Sequence, residues 1–257
     1  MYNYFGDSMN KQKKLVLERS IFVFIIFVIF GVIIVTEKMG GILIPRVTDK
    51  MNDYIEDKYN KEEFIKEDVT YKNTTYTMKV LSKENKNHYF YINYYAKKMT
   101  DTYKKDYKEG KILLTYLKDK LKKEIIKKTS TSCDIEITST LDKYTDSVRE
   151  RIIKEDNLLE LKFYIIKKDL MIDKWNSDSI TKSINDIINK FKDNNITPKS
   201  YTITITDKDD ITKSIEIKNI NEDFINNSNS KEIINDIIND EKSDLLKNNK
   251  ITYKYLN

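Results

Sequence analysis

The chain has 257 residues, with 46 Lys and Arg against 41 Asp and Glu, and a formal net charge of +5. This small excess is spread among acidic residues, whereas a nucleic-acid-binding protein gathers its positive charge on one face or stripe. The single cysteine excludes an intrachain disulfide. The 18 Tyr and 10 Phe supply enough large apolar side chains for a folded core.

The first strong feature is an uninterrupted apolar run, Ile21 to Val35, without a charged or hydrogen-bonding side chain. A helix that crosses a bilayer needs roughly 20 apolar residues, and Ser20 and Thr36 extend this run to residues 20–36. A buried core helix is the alternative, but it would be apolar along one stripe, whereas this segment is apolar all round. We therefore predict a transmembrane anchor that contacts the lipid bilayer through Ile21–Val35.

The residues that flank the apolar run predict its orientation. Lys11, Lys13, Lys14 and Arg19 precede it, and clustered positive charge favours the cytoplasmic side. We predict a basic cytoplasmic N-terminus over residues 1–19, with the rest of the chain extracytoplasmic. A cleaved signal peptide would need a small-residue site of the Ala-x-Ala kind, and the only alanine of the chain is Ala96. An uncleaved anchor is favoured.

The next segment predicts a first module over residues 46–128. Helical spacing of apolar residues over 47–59 is followed by three strands, residues 64–71, 76–80 and 89–95. A polar loop over 83–87 joins the last two strands. Apolar residues from Tyr103 to Ile125 then predict one long amphipathic helix. The module is thus a helix, a three-stranded antiparallel sheet and a second helix.

The remaining residues, 133–257, predict a second module of helices packed on an antiparallel sheet. Strands are predicted over 133–138, 159–165, 201–205, 211–217 and 251–256, and helices over 141–152, 180–191 and 233–245. Two similar segments, residues 183–189 and 233–239, lie fifty positions apart. The strong bias toward Lys, Asn, Ile, Asp and Tyr explains this match as well as a duplication does. The predicted fold class is therefore α+β, with a single N-terminal transmembrane helix followed by two small modules.

The N-terminal half resembles a known group of proteins. The apolar segment, the helix that ends at Tyr54–Tyr59, the strand segments Thr75–Val80 and His88–Ile92, and the acidic-aromatic stretch Asp101–Tyr107 together resemble the YfjL-like group of small membrane-anchored Gram-positive proteins. The resemblance covers about residues 10–130 and supplies no catalytic residues. It implies an exported, anchored domain with a helix packed on a small sheet. The biased composition is likewise typical of an AT-rich, low-GC Gram-positive genome.

No catalytic motif, cofactor site or metal site is predicted. His88 is the only histidine, so histidine-based metal sites and a Ser-His-Asp triad lack their groups, and we expect His88 at a surface position of a strand. Cys133 is expected to be a small buried strand residue rather than a nucleophile. The acidic segment Asp207–Asp210 lacks the later oxygen ligands of an EF-hand and predicts a plain hairpin turn. The protein is predicted not to be an enzyme.

The best candidate for binding is a row of aromatic residues. In the strand over 89–95, alternation places Tyr89, Tyr91 and Tyr95 on one face with Asn93, and more apolar residues on the other. An exposed aromatic strip is typical of a binding surface. The alternative, favoured on general grounds, is that helices or the second module cover this face as well.

Trp175, in a predicted loop, is a further candidate for contact with a partner or a sugar, although capping the edge of the core is the more common role. Two classes of function remain open at this stage. One is an interaction module that binds an envelope protein or the cell wall, with an immunity or inhibitor protein that masks a toxin or peptidase as a narrower form. The other is an unrecognised envelope hydrolase. The scarcity of Gly, His and Cys argues against the hydrolase.

Overall fold

The computed structural model describes residues 19–32, 34–35, 40–59, 63–226 and 228–256. The chain divides into two compact units. The first consists of residues 1–83 and 90–102, and the second of residues 84–89 and 103–257. The predicted boundary near residues 129–132 differs from this division, because the helix that precedes it lies in the second unit.

The apolar segment is helical over residues 19–32, which we name α1, and again at residues 34 and 35. Within the described part of the chain, no helix is both long and apolar enough to cross a membrane. The predicted span, residues 20–36, includes positions 33 and 36, which lie outside the described residues. The predicted cytoplasmic segment, residues 1–19, lies outside them except for its last residue.

The first unit packs one helix on a five-stranded sheet. Helix α2 (Ile44–Tyr59) buries Val47, Met51 and Ile55, whose spacing of four residues forms one apolar stripe. The strand order is β1-β3-β4-β5, and β2 also pairs with β3. The strands are β1 (Phe64–Lys66), β2 (Thr70–Lys72), β3 (Thr75–Ser82), β4 (Tyr89–Tyr95) and β5 (Lys98–Asp101).

Two corrections apply to the predicted first module. It has five strands rather than three, because the segment over 64–71 forms two short strands and β5 was not predicted. The long helix predicted from Tyr103 to Ile125 is interrupted. Tyr103–Lys108 forms a π-helical turn, and Gly110 then adopts a left-handed φ of 67° before helix α3 (Lys111–Thr129) begins.

The second unit is a five-stranded sheet in the order β10-β9-β8-β7-β6. Its strands are β6 (Asp134–Ile137), β7 (Tyr164–Ile172), β8 (Ser200–Asp207), β9 (Ser214–Ile220) and β10 (Thr252–Tyr255). The prediction of an antiparallel sheet is wrong in one respect. Strands β7 and β8 pair in parallel, because helix α5 (Ser177–Lys192) connects them as a crossover.

The helices of the second unit cover one side of its sheet. Helix α3 packs on β6, and α5 packs on β7 and on α7 (Ser230–Ile238). Shorter helices are α4 (Asp146–Lys154), α6 (Asp223–Asn226) and α8 (Asp244–Asn248), and single 3-10 turns occupy Leu141–Lys143 and Leu158–Glu160. The strand predicted over 159–165 therefore begins later, at Tyr164. The helix predicted over 233–245 is two helices. The fold is α+β, as predicted.

Candidate functional site

Strand β4 separates a buried face from an open one. Phe90 and Ile92 are fully buried on the face that α2 covers, whereas Tyr91 is half-buried and Tyr95 is 58% exposed. The alternation of burial follows the two faces read from the sequence. We call the side of the sheet with Tyr91, Asn93 and Tyr95 the tyrosine face.

The neighbouring strands hold the tyrosine face by hydrogen bonds. The Thr77 hydroxyl on β3 donates to the Asn93 side-chain oxygen at 2.9 Å. On the other side of β4, the backbone N–H of Tyr91 donates to the Thr102 hydroxyl at 2.9 Å. These bonds fix the polar centre of the face, so that the tyrosine rings stand on a rigid strand rather than on a loop.

The open face of the second sheet has a different composition. Its described residues are small, polar or charged, with Ile165 and Met171 as the only large apolar side chains and no aromatic ring. Thr206 and Ser214 share a hydrogen bond at 3.0 Å, and Lys218 pairs with Glu216 at 2.9 Å. The half-buried or exposed polar members of this face include Glu136, Lys167, Thr204, Thr206, Glu216 and Lys218, whereas Thr202 is 7% exposed.

The structure separates the four residues that the sequence proposed for partner binding. Tyr91 and Tyr95 share the tyrosine face of the first unit. Tyr89 is half-buried at the start of β4, and it belongs to the second unit. Trp175 also lies in the second unit, where it is partly buried and packs against the hydrophobic core just before α5. Its contacts are those of a residue that closes the edge of the core.

One polar cluster of the first unit was not anticipated. The Tyr54 hydroxyl of α2 donates to the Asp101 carboxylate of β5, and the Lys58 ammonium lies 2.7 Å from the same carboxylate and 2.6 Å from the Tyr54 oxygen. Hydrogen bonds to Asp101 and then Tyr54 raise the pKa of Lys58, and burial is the main cause that raises the pKa of Tyr59 to about 12. The cluster fastens the last turn of α2 to the edge strand. It could not be read from the sequence because β5 was not predicted.

His88 corrects one expectation. It is only 1% exposed, its ring stacks on Tyr107 with centroids 3.9 Å apart, and its Nε2 lies 2.7 Å from the Tyr107 carbonyl oxygen. Burial is the main cause that lowers the pKa of His88, which keeps the ring neutral. The expected surface position is therefore wrong, and the residue is part of the packing of the second unit.

Cys133 is buried and unbonded, next to the first residue of β6. Burial is the main cause that raises the pKa of its thiol, which lowers its reactivity because the thiolate is the nucleophile. The Asp207–Asp210 segment forms the start of the β8–β9 turn, in which the Asp207 carboxylate accepts from the N–H of Asp209 at 3.0 Å. Among the residues that the structure covers, no cluster of three His, Cys, Asp or Glu side chains could hold a metal ion.

Compared with known proteins, the chain matches no protein-family model, no curated protein and no solved structure. These comparisons do not bear on the resemblance to the YfjL-like group. Function is therefore inferred from the residues of this chain.

Proposed function

We propose that this protein is a membrane-anchored, extracytoplasmic interaction module of the cell envelope, and that its tyrosine face binds another protein. The observation that carries the proposal is the contrast between the two open sheet faces. The bias toward tyrosine is a property of the whole chain. Among the described residues, however, the second open face has no aromatic ring, and the first has Tyr91 and Tyr95. Composition alone does not account for this difference.

The side chains are suited to contact with a protein. A tyrosine ring buries a large apolar area, and its hydroxyl keeps a polar group at the edge of the contact. Because a ring has few rotatable bonds, ordering it on binding costs little conformational entropy. Asn93, between the two tyrosines on β4, and Thr77, bonded to it from β3, supply polar groups within the patch.

The anchor is proposed from the apolar side chains of α1. Every residue from Ile21 to Phe30 is between 38% and 72% exposed, so the apolar surface is distributed all round the helix. Such a surface is unfavourable in water and suits a lipid environment. The basic residues before it favour an extracytoplasmic position for the two units. The resemblance to the YfjL-like group implies the same arrangement.

The anchor and its orientation are tested by protease treatment of intact cells that express a C-terminally tagged full chain. Loss of the tag without cell lysis is the expected result. Protection of the tag in intact cells, with digestion after lysis, would contradict the proposed orientation.

The binding face is tested by copurification of the full chain with its partners. The double variant Tyr91→Ser/Tyr95→Ser is expected to lose the partner and keep the circular dichroism spectrum of the wild type and a cooperative melting transition. Thr204→Ser on the second open face is the matched control and should retain the partner. One stoichiometric partner would indicate an inhibitor, and several would indicate a scaffold. Retention of the partner by the folded double variant would overturn the proposal.

A further inference from the structure

The second unit has a groove between an edge strand and a helix. Strand β6 is the edge of its sheet, and α3 packs beside it. The space between them measures about 640 Å³. Its helical wall presents Lys111, Leu114, Thr115 and Lys118, and its strand wall is β6. The rest of the lining consists of Glu109, Ser139, Thr140 and Lys167. We name this space the β6–α3 groove.

The backbone of β6 faces the groove with hydrogen-bonding groups that its own sheet does not use. The N–H of Thr138 donates to the carbonyl of Phe163 at 2.9 Å, and Glu136 stands opposite Ile165. Alternate residues of an antiparallel strand bond to the same neighbour, so the N–H and C=O groups of Ile135 and Ile137 point away from β7. They are the groups that an added strand would engage.

One of these groups already has a local partner. The pKa of the Asp134 carboxyl is lowered mainly because this carboxylate accepts a hydrogen bond from the N–H of Ile135, with Lys122 and Lys118 contributing. Because β6 is the edge of its sheet, the carbonyl of Ile135 and both backbone groups of Ile137 have no second strand to bond to within the described residues. An incoming strand would therefore displace one side-chain contact and complete three open bonds.

Three basic side chains line the groove, Lys111, Lys118 and Lys167, together with three acidic ones, Glu109, Asp134 and Glu136. Lys167 pairs with Glu136, and Lys122 pairs with Asp134 at 3.3 Å, so both acidic residues of β6 have a basic partner. Lys111 and Lys118 form no salt bridge within the described residues. They lie seven residues apart on α3, which corresponds to about 10 Å along a helix. Leu114, between them, is the apolar residue of that wall.

We infer that the β6–α3 groove binds an extended peptide by strand addition to β6, and that this peptide has the pattern acidic-x-apolar-x-acidic. Strand addition combines backbone hydrogen bonds with pockets for alternate side chains. The first and fifth residues of a strand are about 13 Å apart, a distance that the flexible side chains of Lys111 and Lys118 can match. The central apolar residue would contact Leu114. This inference is independent of the tyrosine face.

The inference is tested with the full chain in detergent micelles and a fluorescein-labelled peptide that contains Glu-Thr-Val-Thr-Glu. Fluorescence anisotropy should detect saturable binding, which the double variant Lys111→Glu/Lys118→Glu weakens about tenfold or more. Lys123→Glu/Lys127→Glu makes the same charge change on residues of α3 that do not line the groove, and should bind like the wild type. A peptide with Lys in place of both Glu should not bind.

Two further measurements distinguish strand addition from attraction between charges. A peptide N-methylated at alternate amides keeps its charges and loses its backbone donors, so it should fail to bind. Hydrogen exchange of residues 133–141 should slow when the unmodified peptide is bound. Equal binding of the N-methylated peptide, or equal weakening by the Lys123/Lys127 variant, would overturn the inference. Occupation of β6 by a second copy of the chain, seen as a dimer that the peptide does not dissociate, would also overturn it.

Discussion

The two sheets of this protein are alike on their covered sides and differ on their open sides. Under each sheet, helices bury apolar residues that alternate along the strands. On the open side, the second sheet presents threonines and paired charges, which is the usual composition of a face in contact with water. The first sheet presents Tyr91 and Tyr95 around Asn93. Of the two open faces, only this one carries aromatic residues. This difference is the reason for proposing the tyrosines as a binding surface.

Charge pairs occur on both open faces. Glu136 with Lys167 and Glu216 with Lys218 lie on the second open face, where exposed ion pairs add little to stability and favour solubility. On the tyrosine face the described polar contact of Asn93 is a neutral hydrogen bond from Thr77. The same face also carries Lys79, two residues after Thr77 on β3, which pairs with Glu67 at 3.6 Å. Lys98 stands opposite Tyr95 in the pairing of β4 with β5. The two open faces therefore differ in their aromatic residues and not in the presence of charge.

The largest expected effect tests the two sides of β4. Phe90→Ala removes a fully buried ring and should lower the free energy of unfolding by about 3–5 kcal/mol, because it leaves a cavity under the sheet. Tyr91→Ser, one residue further along the strand, should lower the free energy of unfolding by less than about 1 kcal/mol. Urea-induced unfolding of both variants provides the measurement. Similar losses for both would mean that Tyr91 is core, and the contrast between the faces would fail.

The same test on the second sheet sharpens the comparison. Ile203→Ala, at a fully buried position of β8, should cost about 2–5 kcal/mol. Thr204→Ala on the open side should change the stability by no more than about 0.5 kcal/mol. A large loss for Thr204→Ala would indicate that this face is also covered, and it could then no longer serve as the solvated reference.

A smaller effect is expected from pH at the residue that precedes the tyrosine-bearing strand. The pKa of His88 in the folded protein lies below its ordinary value of 6.5, through burial first and also through the charge of Arg149, whereas the Tyr107 carbonyl and Glu84 act in the opposite direction. The unfolded chain therefore binds more protons at this position as the pH falls below about 6.5. Stability should be complete above that pH and decline as the pH falls further.

The pH effect can be assigned because the chain has one histidine. Unfolding midpoints in urea between pH 7.5 and 5.5 should decrease for the wild type and stay nearly constant for His88→Gln. A wild-type profile that is flat over this range, or an equal slope in the variant, would show that His88 is not held neutral.

The smallest expected effect concerns the charges of the second open face. Glu136→Gln removes one partner of an exposed pair with Lys167, whose side chains are 50% and 45% exposed. The change should alter the free energy of unfolding by about 0.5 kcal/mol or less, and by still less in high salt. A loss of several kcal/mol would mean that the pair is shielded from water and that the face is not open.

The sequence predicted most of the elements with a strong apolar period, and the misses have local physical causes. Helices α2 and α5 and strands β3, β4, β8 and β9 carry clear apolar patterns. Strand β5 has no clear apolar pattern, and the turn before it lacks the residues that usually predict a hairpin. Ala96 and Lys97 both adopt left-handed φ values, 47° and 62°, in the manner of a tight hairpin turn, although such turns favour Asn and Gly. Without β5, the cluster of Tyr54, Lys58 and Asp101 could not be foreseen.

The parallel pairing of β7 and β8 was missed for a different reason. Periodicity identifies strands and the face that each one buries, but the direction of pairing depends on which helix crosses the sheet. The β6–α3 groove is likewise a product of the topology, because it exists only where the edge strand and α3 lie side by side. The tyrosine face, in contrast, depends on alternation along a single strand, and alternation is visible in the sequence.

The most direct test of the central claim places a photo-crosslinking phenylalanine analogue at Tyr95 in the full chain, in intact cells. Tyr95 is 58% exposed on the tyrosine face, and Met171, 65% exposed on the second open face, is the matched control. Irradiation should give a discrete protein adduct from position 95 and none from position 171. The same adducts from both positions, or an adduct from position 171 alone, would contradict the account.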